Sequence, residues 1–190
     1  MAKYPTGAYH LADNPKIFEV QRGNNFEFVI TNINDIRRAG AAADDSTAKF
    51  SNAEEILTLS VSGAPVPHFT KEPIKLRRGN SEIKYAGVPT FNSGNIVFND
   101  FVGAETKDIL MAWQNLSYNV EDETVGCLMH RNYKRDCYLI EYAPDYHKVR
   151  TWKLFGCWIS GISEDDYSHD STGNKKITVT IEYDRAKIDD

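Results

Sequence analysis

Apolar residues recur with a period of two along most of this chain. Ile177, Val179, Ile181 and Tyr183 alternate with Thr178, Thr180 and Glu182, and Phe26, Phe28 and Ile30 alternate with Glu27, Val29 and Thr31. Successive side chains of a strand point to opposite faces, so the pattern describes strands with one face buried. The same reading places a strand over 55–63, with Ile56, Thr58 and Ser60 set against Leu57, Leu59 and Val61. Further strands fall over 94–101 (Ile96 and Phe98 against Val97 and Asn99) and 136–142 (Tyr138, Ile140, Tyr142). Another covers 150–159, with Trp152, Leu154 and Trp158 against Phe155, Cys157 and Ile159. Gly156 marks a bend or bulge there.

Residues 71–86 read as a hairpin. Ile74 and Leu76 alternate outward, Ile83 and Tyr85 alternate on the return, and Arg78-Gly79-Asn80-Ser81 forms the turn. Gly79-Asn80 supplies the positive-φ backbone that tight hairpins need. Both arms are charged, with Lys75, Arg77, Arg78, Glu82 and Lys84, so the hairpin is too polar to lie wholly in a core. Pro65 and Pro67 before it exclude a central strand. One stretch, 105–119, reads as a helix. Ile109, Trp113 and Leu116 fall at i, i+4 and i+7 as core anchors, and Glu105 and Asp108 sit where the helix dipole favours anions.

The expected fold is mainly β: an antiparallel β-sandwich or barrel of about seven or eight strands with one flanking α-helix. It forms a single domain over 1–190. Residues 1–16, with Pro5, Gly7 and Pro15, read as an N-terminal arm. Residues 34–53, rich in Ala, Gly and Asp, read as a loop insertion, and 120–132 as irregular chain. At 190 residues one domain buries about 70% of its unfolded surface and folds without staples.

Charge and composition narrow the function. Lys plus Arg number 22 against 27 Asp plus Glu, a net charge of −5. Phosphate affinity comes from basic side chains, so this balance argues against a free nucleic-acid binder. No apolar run approaches the ~20 residues of a membrane span. The polar start has no apolar signal-peptide core, which gives the expectation of folding in the cytoplasm. Cys127, Cys137 and Cys157 are odd in number and lack scaffold spacing, so reduced thiols are expected.

The sequence carries no catalytic constellation, metal site or cofactor motif. The chain has no phosphate-binding glycine loop and no nucleophile elbow. Cys127, His130 and Cys137 lack a fourth zinc ligand, and Asp165, Asp166 and Asp170 lack the calcium-loop pattern. The basic residues Arg131, Lys134, Arg135, Lys148, Arg150 and Lys153 are interleaved with Asp136, Glu141 and Asp145, as on a solvated face or a protein interface. Sheets with open edges invite pairing into rings.

The order of these segments resembles the tail tube proteins of contractile-tailed bacteriophages. The resemblance rests on Phe26-Glu-Phe-Val-Ile, then Leu57-Thr-Leu-Ser-Val-Ser-Gly-Ala-Pro-Val-Pro and Pro73-Ile-Lys-Leu-Arg-Arg-Gly-Asn-Ser-Glu-Ile-Lys-Tyr-Ala-Gly. Asn95-Ile-Val-Phe-Asn-Asp-Phe follows, then the helix with Ile109, Trp113 and Leu116, then Asn132-Tyr-Lys-Arg-Asp, Phe155-Gly-Cys-Trp-Ile and Ile177-Thr-Val-Thr-Ile-Glu-Tyr. It implies a structural subunit without enzymatic activity. Such subunits form hexameric rings that stack into a hollow tube for genome delivery inside a contractile sheath. The implied partners are other copies of the chain, the sheath protein, and baseplate and tail-terminator proteins, with DNA only in passage through the lumen. The implied location is the virion tail, assembled in the host cytoplasm. By the same resemblance the hairpin, through Lys75, Arg77, Arg78, Gly79, Asn80, Ser81, Glu82 and Lys84, reaches the adjacent ring, and the arm 1–16 contacts a neighbouring subunit. The chain departs from the family pattern at 34–53 and 120–132, both longer than the pattern has. A lumen that passes DNA must be neutral or repel phosphate, which an acidic chain suits.

Two alternatives stand beside this reading. One is the inner tube of a contractile bacteriocin or secretion-type injection system. The other is a monomeric ligand-binding β-sandwich that uses Tyr138, Trp152 and Trp158 as a stacking platform.

Overall fold

The computed structural model describes residues 20–37, 49–103, 105–120, 123, 129–169 and 172–189. The expected arm 1–16, most of the 34–53 and 120–132 loops, Cys127 and Asp170 lie outside the described residues. The fold is mainly β, as expected. Among the described residues seven antiparallel strands form one nearly closed, barrel-like sheet. Along it run β1 (Phe26–Ile30), β8 (Arg135–Tyr142), β9 (Lys148–Glu164), β10 (Lys176–Glu182), β7 (Gly94–Asn99) and β2 (Val61–Gly63), with β11 (Arg185–Ile188) also paired to β9.

Alternation decides which side chains fill the interior. Phe28 and Ile30 of β1, Cys137 and Leu139 of β8, and Ile177, Val179 and Ile181 of β10 are all buried. Ile96 and Phe98 of the neighbouring β7, paired with Val179 and Ile177, are buried beside them. Cys137 and Cys157 are free thiols within this core. Burial, with Cys157 alongside, pushes the Cys137 thiol well above its ordinary pKa.

Strand β9 has 17 residues and changes partner along its length. Its first half pairs with β8 and β11, and its second half with β10. Gly156 sits between them at φ +67°, where Cys157 pairs with Arg135 but Leu154 already pairs with Cys137. The extra residue is the bulge expected at this glycine. It restores the inward direction, so Leu154, Cys157 and Ile159 are all buried despite their uneven spacing.

The segment 55–63 corrects one expectation. Residues Ala53–Ser60 form a helix, α1, and only Val61–Gly63 is strand. Ala53, Leu57 and Ser60 are the buried positions, spaced i, i+4, i+7. The run contains β-branched residues that also satisfy period two, so alternation alone misassigned it. Two hydroxyls that favour extended chain are satisfied inside the helix. Thr58 Oγ1 donates to Glu54 O at 2.8 Å and Ser60 Oγ donates to Ile56 O at 2.7 Å. Glu54 and Glu55 stand in the first turn, where the dipole stabilises them. The fold therefore has a helix beyond the one expected, plus the short α3 (His130–Tyr133).

The expected helix is present as α2, Thr106–Asn115, shorter than 105–119 because Leu116 caps it. Ile109 and Trp113 anchor it in the core, with Leu110 and Ala112, while Leu116 is half-buried at the end. Trp113 Nε1 donates to Tyr133 O at 2.8 Å, which ties α2 to α3. Ser60 and Thr106 share a buried hydrogen bond of 3.1 Å between α1 and α2. At the other face of α2, Lys107 and Lys175 grip Glu164 at 2.8 Å each. These two ammonium groups, Lys107 first, hold the Glu164 carboxyl below the usual carboxylate range.

Trp113→Ala is expected to cost about 3–5 kcal/mol in denaturant unfolding, since a large buried ring leaves a cavity. A cost under about 1 kcal/mol would mean the ring is not packed. Because the folded pKa of Glu164 is depressed, its contribution is present above the unfolded carboxylate's ~4.3 and fades as pH falls through the lower folded value. Glu164→Gln should therefore melt below wild type at neutral pH, with the gap closing in acid.

Candidate inter-subunit surface

Residues 69–91 leave the barrel as a long two-stranded ribbon. Its base pairs β3 (Phe69–Lys71) with β6 (Pro89–Phe91), and its outer part pairs β4 (Ile74–Arg78) with β5 (Ser81–Tyr85). The hairpin and its turn are those the sequence predicted, with Gly79 at φ +62° and Ser81 Oγ donating to Arg78 O at 3.0 Å. The base pair of strands was not expected. Its signal was Phe69 and Phe91, placed nearly equally far from the turn.

Register sorts the ribbon into two faces. Ile74 lies opposite Tyr85, and Leu76 opposite Ile83, so these four share one face. Lys75 lies opposite Lys84, and Arg77 opposite Glu82, on the other face. Every residue of β4 is exposed, and Ile74, Leu76 and Tyr85 are 60%, 54% and 53% exposed. A lone hairpin is marginal in water, and a contiguous exposed apolar patch marks an interaction site. Arg78, Gly79, Asn80 and Ser81 form the tip.

Aromatic contacts fasten the ribbon to the barrel. Phe91 meets Phe69 edge-on at 5.5 Å and Tyr183 at 5.9 Å. Tyr183 is buried at the end of β10, and its hydroxyl donates to His68 O at 3.4 Å. The joint is apolar and local, while the ribbon beyond it stands free of the core.

Other expected surfaces resolve differently. Tyr138, Trp152 and Trp158 do not form a platform. Trp152 pairs with Leu139 and packs on the core side, its Nε1 donating to Glu141 Oε1 at 2.8 Å. Tyr138, one residue along β8, points the opposite way, and the Lys153 ammonium lies 5.3 Å from its ring centre and 4.9 Å from that of Phe155. The basic residues at the start of β8 are used in the fold. Lys134 binds Asp184 at 2.7 Å, and Arg135 donates to the carbonyls of Asn132 and Lys134. They line a cleft of about 770 Å³ together with Asp35, Asp136 and Arg37, acids and bases mixed. Among the described residues no group of His, Cys, Asp and Glu is placed to hold a metal ion. Among them, too, no helix is long and apolar enough to cross a membrane.

No protein-family model matches the sequence, and no curated protein matches it. Solved structures do match the fold. A chain of the sheath/tube terminator of an extracellular contractile injection system, PVC, superposes with a TM-score of 0.61 at 12% identity, over 90% of this chain and 98% of that one. A chain of the tube-terminating cap of the anti-feeding prophage gives 0.58 at 13% identity, over 98% and 99%. A chain of the six-fold symmetrised anti-feeding prophage baseplate gives 0.58 at 11%, over 90% and 95%. The chain has a tail-tube-like fold. The likeness spans nearly the full length of each matched chain.

Phe91→Ala should loosen the ribbon while leaving the barrel folded. Two aromatic contacts at the joint are worth about 1–3 kcal/mol together. Faster hydrogen exchange or proteolysis confined to 69–91 would confirm the joint, and unchanged protection there would place the anchor elsewhere.

Proposed function

We propose that this chain is a structural, non-catalytic subunit of the tube of a contractile injection machine. The observation that carries the proposal is the free amphipathic ribbon on a tail-tube-like barrel. Its apolar face is exposed in the single chain and is buried once a neighbouring copy covers it. Copies associate laterally into hexameric rings. Rings stack through the ribbon, with Lys75, Arg77, Arg78, Gly79, Asn80, Ser81, Glu82 and Lys84 reaching the next ring. The sheath, baseplate and terminator proteins are the partners, in keeping with the sheath, baseplate and terminator assemblies whose chains share the fold.

Two versions of the machine fit this proposal. In the first the tube belongs to a phage tail in the virion, is assembled in host cytoplasm, and passes DNA. In the second it belongs to a bacteriocin or secretion-type injection system. The three solved chains named above come from an extracellular contractile injection system and the anti-feeding prophage. The monomeric ligand-binding reading loses its platform, because Tyr138 and Trp152 face opposite ways.

Size-exclusion mass and negative-stain images of the purified chain test the proposal. Hexameric rings or tubes are expected, and a persistent monomer at high concentration would overturn it. Arg77→Glu with Arg78→Glu should block stacking with the melting temperature unchanged. Normal tube formation by that variant would remove the ribbon from the inter-ring contact.

A further inference from the structure

We infer that the acidic groove between β1 and α1 receives the cationic face of the ribbon from a second copy of this chain. The inference rests on the tube reading above and names the surface the ribbon meets.

The groove has a volume of about 440 Å³. Glu27 and Val29 of β1 line one side, and Glu54, Glu55, Thr58 and Leu59 of α1 line the other. Three carboxylates thus converge on it, and among the described residues no cation lines it. Leu59, 72% exposed, and the half-buried Val29 add apolar surface beside the charges. Among the described residues β1 is an edge of the sheet and pairs with β8 alone. The position of the acids is fixed by the fold. Glu54 and Glu55 occupy the first turn of α1, and Glu27 accepts a 2.8 Å hydrogen bond from the Tyr142 hydroxyl.

The ribbon is the complement. Its charged face sets Lys75 directly opposite Lys84, an arrangement that is unfavourable in an isolated chain. Arg77 lies on the same face, and Arg78 is at the tip. Glu82 is the single acid there, 4.0 Å from Lys75. Across 71–85 five cations stand against two carboxylates, in a chain whose total charge is −5. The ribbon thus carries a local excess of three positive charges, and carboxylates of a neighbour relieve the Lys75–Lys84 repulsion. The two surfaces are different, so the contact is head-to-tail, the kind that closes rings or extends filaments.

Charge reversal on both sides tests the pairing, read as the critical concentration for assembly of the full chain by sedimentation and electron microscopy. Glu54→Lys with Glu55→Lys, and separately Lys75→Glu with Lys84→Glu, should each raise it by about a hundredfold, because like charges then meet across the contact. Combining all four substitutions should bring it back to within about tenfold of wild type. Should Glu54→Lys unfold the chain, Glu55→Lys and Lys84→Glu repeat the test from exposed positions. Assembly of the groove variant at the wild-type concentration, while the ribbon variant fails, would overturn this inference and leave the tube reading intact. Failure of the combined variant to recover, with its melting temperature unchanged, would also overturn it. A wild-type chain that stays monomeric would overturn the tube reading, and this inference with it.

Discussion

The rest of the molecule depends on how β9 passes through Gly156. One strand pairs with β8 and β11 on its first half and with β10 on its second. That change needs a bulge, and the bulge needs a residue at φ +67°. Any Cβ at this position would run into the Asp184 carboxylate, which Lys134 already holds. The Gly156 N–H donates to Asp136 Oδ1 at 3.3 Å, so the bulged residue is tied to the neighbouring strand. A bulge bends its strand and increases local twist, which is what curls an open sheet toward a barrel. A side chain at 156 would meet both left-handed strain of about 1–3 kcal/mol and this steric conflict.

Closure of the sheet decides where apolar surface remains. The inward faces of β1, β7, β8, β9 and β10 fill one core, and α1 and α2 cover it with Leu57, Ile109 and Trp113. Isolated exposed apolar residues elsewhere are ordinary for a folded surface. The ribbon differs because register lines up Ile74, Tyr85, Leu76 and Ile83 on one face of an element with no core of its own. Its opposite face gathers cations, and the β1–α1 groove gathers acids. A chain of net negative charge thus sets a cationic ribbon face apart from an acidic groove.

Much of the fold was legible from residue order. The alternations in β1, β7 and β10 identified strands and their buried faces, because one-sided burial imposes period two. Gly79-Asn80 located the turn, and Ile109 and Trp113 located the core face of α2. Other elements were not legible. The segment 53–60 satisfies period two and helical spacing at once, and its burial against β1 and α2 selects the helix. β11 is short and charged and exists only because β9 offers it a free edge. Of the candidate surface, the hairpin residues could be read directly. The groove could not, since Glu27 and Glu54 are far apart in the chain and meet only when α1 packs beside β1.

The sequence by itself therefore determined the β character, the position of the bulge, the protruding hairpin and the main helix. Each follows from local rules: side-chain period, positive-φ glycine and turn chemistry. Tertiary structure alone decided that 53–60 is helical, that the strands curl into a nearly closed barrel, that Tyr138 and Trp152 face apart, and that three acids share one groove. Those outcomes depend on which face of one element is covered by another, and that is set by packing between segments distant in the chain.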